Sequence, residues 1–182
     1  MAMPTWISPF KHPRALVVDD STTLQRLLDL TLRPLGVDVE FASRGDDAIA
    51  LALSKSYDVI FLDVMLPGAD GYQVCKAVKR DARAKHVAVI MLTSKDSAFD
   101  KVKGIMAGTN AYLTKPVERP SLLAALDQHA PGLLAAGAYW LERRSTSQNL
   151  RQKLRQARGS GRAADSAPDS TQQSNFHKDP QQ

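Results

Sequence analysis

Residues 59 to 72 read VIFLDVMLPGADGY, and this stretch is the clearest indication of the fold. Four apolar residues, Val59 to Leu62, end abruptly in a carboxylate, Asp63, and turn-forming residues follow from Pro67 to Gly71. A short apolar run bounded by turn residues predicts a strand that is buried on both faces. Ligands of open α/β sheets bind beyond the carboxyl ends of the strands. Asp63 is therefore a candidate functional residue.

Four more strand-and-helix units accompany this stretch. Apolar runs predict strands at 14–18, 58–62, 87–92 and 111–114, and alternating polar and apolar residues predict a strand at 37–42. Apolar residues at helical spacing predict helices after Ser21 and at about 45–55, 70–80, 96–107 and 121–129. Ser21 and Ser43 are expected to cap the first two helices. Right-handed crossovers leave few topologies for such a chain. We predict an α/β fold, a flavodoxin-like doubly wound parallel sheet of five strands in the order 2-1-3-4-5, with five helices and a C-terminal extension.

Polar residues stand at the carboxyl ends of four predicted strands. These residues are Asp19, Asp20, Asp63, Thr93 and Lys115. Converging carboxylates repel one another unless a hard cation such as Mg²⁺ binds between them. Carboxylates, an ammonium group and a hydroxyl together indicate phosphoryl transfer to an aspartate. Taken singly, each residue has a plainer interpretation: a helix cap for the acidic pair, a turn for Asp63, a strand end for Thr93 and a surface position for Lys115.

The net charge of +5 is concentrated in the C-terminal part of the chain. Residues 133–182 hold eight Lys and Arg against four Asp and Glu, whereas residues 1–132 hold sixteen against fifteen. The nearly neutral folded part gives no indication of nucleic-acid binding. We predict an extended leader at 1–13, a folded domain at 14–131, a basic extension able to form a helix at 132–158, and a disordered tail at 159–182.

The apolar pattern indicates a cytoplasmic protein without a transmembrane segment. No stretch approaches the ~20 apolar residues that a membrane helix needs, and the first residues lack the pattern of a signal peptide. The single cysteine, Cys75, excludes an internal disulfide. Because Cys75 lies among apolar residues at helical spacing, it is expected in the core.

Four motifs carry a resemblance to a known family. They are Val17-Val18-Asp19-Asp20-Ser21, Leu62-Asp63-Val64-Met65-Leu66-Pro67-Gly68, Leu92-Thr93-Ser94 and Thr114-Lys115-Pro116. The region from 14 to about 131 resembles a response-regulator receiver domain of two-component systems. Thr93 and Lys115 follow Asp63 by 30 and 52 positions, which also matches that family. The resemblance implies a phosphorelay signalling protein in which Asp63 is the phosphoacceptor.

The resemblance also assigns the other site residues. It implies that Mg²⁺ is held by Asp19, Asp20, Asp63 and the backbone carbonyl of Met65, and that the phosphoryl group is bound by Thr93 and Lys115. Tyr112 matches the aromatic residue whose rotamer reports phosphorylation, so Thr93 and Tyr112 form the expected switch. The Lys115-Pro116 bond is often cis in this family, and a cis peptide is accessible because the second residue is proline.

A narrower resemblance is to regulators of twitching motility, the chemotaxis-like systems that control type IV pili. It rests on Ser94-Lys95-Asp96 followed by Phe99-Asp100-Lys101. The implied partners are a sensor histidine kinase or phosphotransfer domain and a downstream protein target, such as the pilus machinery. The target is expected to contact the face formed by helix 4, strand 5 and helix 5. The lysines of helix 4 (Lys95, Lys101 and Lys103) either face solvent or dock that target.

Two other functions are weighed against this interpretation. A Mg²⁺-dependent phosphatase with an aspartate nucleophile usually carries a second Asp two residues later, where this chain has Met65. A DNA-binding regulator needs a second compact helix-turn-helix core, and the roughly 50 residues after 131 show none, so sequence-specific DNA binding is not expected. The basic stretch at 143–158 remains a candidate for weak contact with nucleic acid or a membrane surface.

Overall fold

The computed structural model describes residues 11–94, 103 and 105–160, without the side chains of residues 157–160. The described residues include a sheet of five parallel strands. The strands are β1 (Arg14–Val18), β2 (Asp38–Ala42), β3 (Val59–Asp63), β4 (Ala88–Thr93) and β5 (Ala111–Thr114). Their order is β2-β1-β3-β4-β5, which confirms the predicted doubly wound topology.

Helices connect the strands and continue beyond the last one. They are α1 (Thr22–Leu32), followed by a short 3-10 turn (Arg33–Leu35), then α2 (Gly45–Ser54), α3 (Gly71–Arg80), α5 (Arg119–His129) and α6 (Leu133–Ser160). Of α4, the structure describes Lys103 and residues 105–107. The remainder of the predicted helix at 96–107 lies outside the described residues, with Lys95 and Lys101. Within the described ranges, none of the helices has the length and apolar character needed to cross a membrane.

Of the two predicted helix caps, Ser21 is confirmed and Ser43 is not. The Ser21 hydroxyl accepts a hydrogen bond from the Leu24 N–H at 3.4 Å, which confirms it as the cap of α1. The prediction for Ser43 is wrong, because Arg44 is the extended residue that precedes α2. The Ser43 hydroxyl instead accepts a hydrogen bond from the Gln25 side chain at 3.2 Å. The first N–H of α2 donates to the Pro67 carbonyl at 3.0 Å, so a neighbouring loop replaces the cap.

Two apolar clusters cover the two faces of the sheet because side chains alternate along each strand. One cluster joins Val17, Phe61 and Leu113 of the strands to the leucines of α1 and α5. The other joins Val18, Leu62 and Met91 to α2 and α3, and it contains Cys75, which is fully buried as predicted. All five residues of β3 are buried, so this strand is the centre of the core.

The first turns of α6 belong to the same compact unit as the sheet, and this unit ends at Arg143. Leu133 is 2% exposed and belongs to the cluster beneath α1 and α5. Gly137 crosses Gly36 so closely that a Cβ atom built on Gly137 would lie 2.0 Å from the Leu35 carbonyl oxygen. The Trp140 indole N–H donates to the Lys11 carbonyl at 3.0 Å. The packed part of the chain therefore continues beyond the change of pattern at 131.

Candidate functional site

Strand alternation brings three charged side chains to one place. Asp19 follows Val17 by two positions, Asp63 follows Phe61, and Lys115 follows Leu113, so all three share the face of the sheet that α1 and α5 cover. Because the strands are parallel, all three also stand at the carboxyl edge. The order β2-β1-β3-β4-β5 makes β1 and β3 neighbours, and the crevice between their ends is the ligand site of such sheets.

The Lys115 ammonium group lies between two carboxylates. Its nitrogen is 2.6 Å from Asp19 Oδ2 and 3.2 Å from Asp63 Oδ1. Asp19 is fully buried and Asp63 is 6% exposed, whereas Asp20 is exposed. One carboxylate oxygen from each of these three aspartates lies within 4.8 Å of the others. The crevice is therefore acidic, closed at its base by Asp19 and open to solvent at Asp20.

The crevice raises the pKa of one acidic side chain, Asp63, and of one basic side chain, Lys115. Burial raises the pKa of Asp63, and the neighbouring Asp19 carboxylate raises it further. Lys115 and the backbone N–H of Met65 act in the opposite direction, without cancelling the rise. Burial lowers the pKa of Lys115, but the hydrogen bond to Asp19 and the charge of Asp63 outweigh it, so that the pKa of Lys115 is raised. The crevice therefore favours added positive charge.

The donor set of the crevice fits Mg²⁺. Three carboxylates against one ammonium group leave an excess of negative charge that a divalent cation neutralises. Hard oxygen ligands in an open site suit Mg²⁺, which keeps several of its waters. Met65 adjoins the cluster and is 76% exposed, so the loop that carries its backbone carbonyl lies at the solvent side.

The other two predicted residues lie on β4 and β5. Thr93 is 6% exposed at the end of β4. Its backbone carbonyl accepts a hydrogen bond from the backbone N–H of Lys115 at 2.8 Å. Met91 pairs with Tyr112 and Thr93 pairs with Thr114, which places Thr93 and Tyr112 on the same face of the sheet. Tyr112 is partly buried against the cluster beneath α2 and α3. The expected cis Lys115-Pro116 bond is present.

Two residues that hold the crevice together were missed by the sequence analysis. The Gln25 side chain donates to the Asp19 carbonyl at 2.7 Å, and it fixes the turn that carries Asp19 and Asp20. A polar residue one turn into a helix gives no sequence signal of this contact. Gly71 opens α3 where a Cβ atom would lie 2.2 Å from the Asp63 carbonyl oxygen. The Asp-Gly pair at 70–71 was the available signal.

Comparison with known proteins identifies the family of this chain. Residues 15–127 match the response regulator receiver domain family. The chain belongs to that family. Protein PilG of Pseudomonas aeruginosa is 41% identical over 125 residues, which cover 69% of this chain and 93% of PilG. The DNA-binding dual master transcriptional regulator RpaA of Synechocystis is 39% identical over 112 residues, which cover 62% of this chain but only 46% of RpaA.

Solved receiver structures share the fold. The chemotaxis protein CheY4 of Vibrio cholerae is 33% identical with a TM-score of 0.62, and the match covers 65% of this chain and 99% of CheY4. The receiver domain of a sensor histidine kinase from Pseudomonas aeruginosa is 30% identical with a TM-score of 0.62, covering 66% of this chain and 99% of that domain. A magnesium ion is coordinated in the active-site cleft of that domain. Receiver domains thus bind Mg²⁺ at an acidic pocket, and the aspartate cluster is the corresponding group here.

Proposed function

We propose that this receiver domain is a stand-alone response regulator that accepts a phosphoryl group on Asp63. The donor is a phosphohistidine of a sensor histidine kinase or phosphotransfer domain, and the reaction depends on Mg²⁺. The observation that supports this most strongly is the position of Asp63, at the end of a fully buried strand with the Lys115 ammonium group 3.2 Å away. The chain acts as a switch in a cytoplasmic signalling pathway rather than as a turnover enzyme.

The transfer step uses Asp63 as the nucleophile. A carboxylate oxygen of Asp63 attacks phosphorus, the phosphorus–nitrogen bond of phosphohistidine breaks, and the electron pair returns to the imidazole. Asp19, Asp20, Asp63 and the Met65 carbonyl would hold Mg²⁺, which neutralises charge on the transferring oxygens when bound. Lys115 already points at Asp63, so its ammonium group is in place to pair with a phosphoryl oxygen. The Thr93 hydroxyl supplies a further donor.

Phosphorylation switches the protein through β4 and β5. The acyl phosphate adds negative charge and acceptor oxygens beside Thr93. Thr93 moves toward them, and the Tyr112 ring fills the space that is vacated, which shifts the population of two states. The output is a protein contact on the face of α4, β5 and α5. Ile105 and Met106 of α4 are 73% and 75% exposed, and large exposed apolar residues favour a protein partner there.

The pathway we propose is control of twitching motility or a related chemosensory system. The supporting observations are the Ser-Lys-Asp and Phe-Asp-Lys motifs and the match to PilG over most of its length. The downstream target would then be a protein of the pilus machinery. The match to RpaA extends over less than half of that protein, so it does not favour transcriptional control.

Intact mass spectrometry tests the proposal. The full chain is incubated with Mg²⁺ and a small acyl-phosphate donor, and Asp63→Ala and Asp127→Asn are treated in parallel. Asp127 is an exposed carboxylate on α5, so its substitution controls for the loss of any aspartate. We expect one phosphoryl adduct on the wild type and on Asp127→Asn, none on Asp63→Ala and none without Mg²⁺. An adduct that persists in Asp63→Ala would contradict the proposal.

A further inference from the structure

The second half of α6 presents a pair of leucines to solvent. Leu150 is 58% exposed and Leu154 is 54% exposed. All residues from 141 to 156 are exposed. Residues four apart on a helix lie on one face, so the two side chains form a single short apolar seam. An exposed helix with an apolar face gains stability when another surface covers that face.

Basic side chains flank this leucine seam on both sides. At about 100° of rotation per residue, Arg151 and Lys153 stand about 80° to either side of the line through Leu150 and Leu154. This is the arrangement of a helix pair whose core positions are leucine and whose edge positions are charged. Edge charges of this kind decide which partner helix is accepted.

The charges near the seam have one sign only. The sequence from 143 to 160 contains six Lys and Arg and no Asp or Glu. Arg151 and Arg155 are four residues apart, and like charges at that spacing destabilise an isolated helix. Acidic side chains on a partner would remove this repulsion. The composition of the helix therefore favours an acidic partner over solvent.

We propose that the leucine seam of α6 docks an acidic amphipathic helix of another protein. Its leucines would cover Leu150 and Leu154, and its glutamates or aspartates would pair with Arg151 and Lys153. This site is distinct from the aspartate crevice and does not require phosphorylation of Asp63. It gives the receiver a second contact with a partner.

Other occupants fit the helix less well. A second copy of the chain would bring Arg151 and Lys153 against like charges in either orientation, which is unfavourable. A membrane-surface helix needs a broad apolar face with aromatic residues, and residues 141–160 contain no Phe, Trp or Tyr. A nucleic acid would contact the face that carries Arg144, Arg151 and Arg155, which project within about 40° of one another on the helix, and it would leave Leu150 and Leu154 uncovered.

The test uses the full unphosphorylated chain and a synthetic acidic helix of about four heptads, with Leu at its core positions and Glu at its edges. Isothermal titration calorimetry should show binding to the wild type. Binding should weaken at least tenfold in the double variant Leu150→Ser/Leu154→Ser. The matched control, Gln148→Ser/Gln152→Ser, changes two exposed residues away from the seam and should bind like the wild type. Circular dichroism checks that each variant keeps its helix.

Charge reversal sharpens the test. The variant Arg151→Glu/Lys153→Glu should lose the acidic helix and gain a partner helix in which Lys replaces Glu. The proposal is overturned if an acidic peptide with Ser at its core positions binds as well as the leucine peptide, because charge alone would then explain the binding. It is also overturned if the leucine peptide does not bind, or if the wild type prefers anionic vesicles or duplex DNA.

Discussion

Two parts of the protein are held together in opposite ways. One is the aspartate crevice of Asp19, Asp63 and Lys115, and the other is the α6 packing site, where Gly137 and Trp140 meet the rest of the domain. The crevice collects charged side chains from β1, β3 and β5, and the sheet order alone makes them meet. The α6 packing site depends on a close approach between Gly36 and Gly137, which are 101 positions apart. It also depends on the stacking of His12 on Trp140, with ring centres 4.0 Å apart. The first site follows from topology, and the second follows from close tertiary contacts of backbone and side chains.

The largest effect is expected in the crevice, at Lys115. Lys115→Met removes the ammonium group that lies 3.2 Å from Asp63, so the phosphorylation rate with a small acyl-phosphate donor should fall about 100-fold. Lys55→Met is the matched control, since Lys55 pairs with Glu40 away from the crevice. The control should keep the wild-type rate. Equal rates in all three proteins would show that Lys115 has no part in transfer.

The next effect concerns stability at the α6 packing site. Gly137→Val forces side-chain atoms against the Leu35 carbonyl, so the free energy of unfolding should fall by about 2 kcal/mol in urea denaturation. Ala138→Val places the same side chain at the next, exposed position of α6 and should change it by less than about 0.5 kcal/mol. Two equal losses would mean that helix propensity, rather than the close crossing, limits the site.

A smaller effect is expected inside the crevice. Gln25→Ala removes the hydrogen bond to the Asp19 carbonyl, so the turn that carries Asp19 and Asp20 is held less firmly. Mg²⁺ affinity, followed by titration calorimetry, should fall about tenfold. Gln128→Ala is the matched control, because Gln128 is an exposed glutamine on α5. Gln73 is also exposed, but it belongs to the capping box of α3. If Gln128→Ala weakens Mg²⁺ as much, Gln25 has no special role.

The smallest effect separates two contacts of one side chain. Trp140→Phe keeps an aromatic ring for stacking on His12 but loses the donor to the Lys11 carbonyl. The free energy of unfolding should fall by about 1 kcal/mol, the usual net value of one hydrogen bond. Tyr139→Phe serves as the aromatic control, because it removes only the solvent-exposed hydrogen bond that the Tyr139 hydroxyl accepts from Arg143. Phosphorylation should be unaffected in both proteins, which a direct effect of α6 on the crevice would contradict.

These two sites also show what the sequence could predict. The apolar runs of β1 and β3 lead directly into carboxylates, and the topology of a five-unit parallel sheet then places Asp19, Asp63 and Lys115 together. The sequence could not predict that Ser43 would leave α2 uncapped, because its hydroxyl is taken by Gln25 from another helix. It also gave no indication of the contact between Gly36 and Gly137, since a close crossing depends on tertiary packing rather than on local pattern.

The most direct test of the central claim is to locate the phosphoryl group. Borohydride reduces an acyl phosphate of aspartate to homoserine, and peptide mass spectrometry then identifies the modified position among the clustered aspartates. We expect homoserine at position 63 alone, and only after incubation with Mg²⁺ and the phosphoryl donor. Homoserine at position 19 or 20, or unmodified Asp63 in a chain that carries the adduct, would contradict the assignment of Asp63 as the phosphoacceptor.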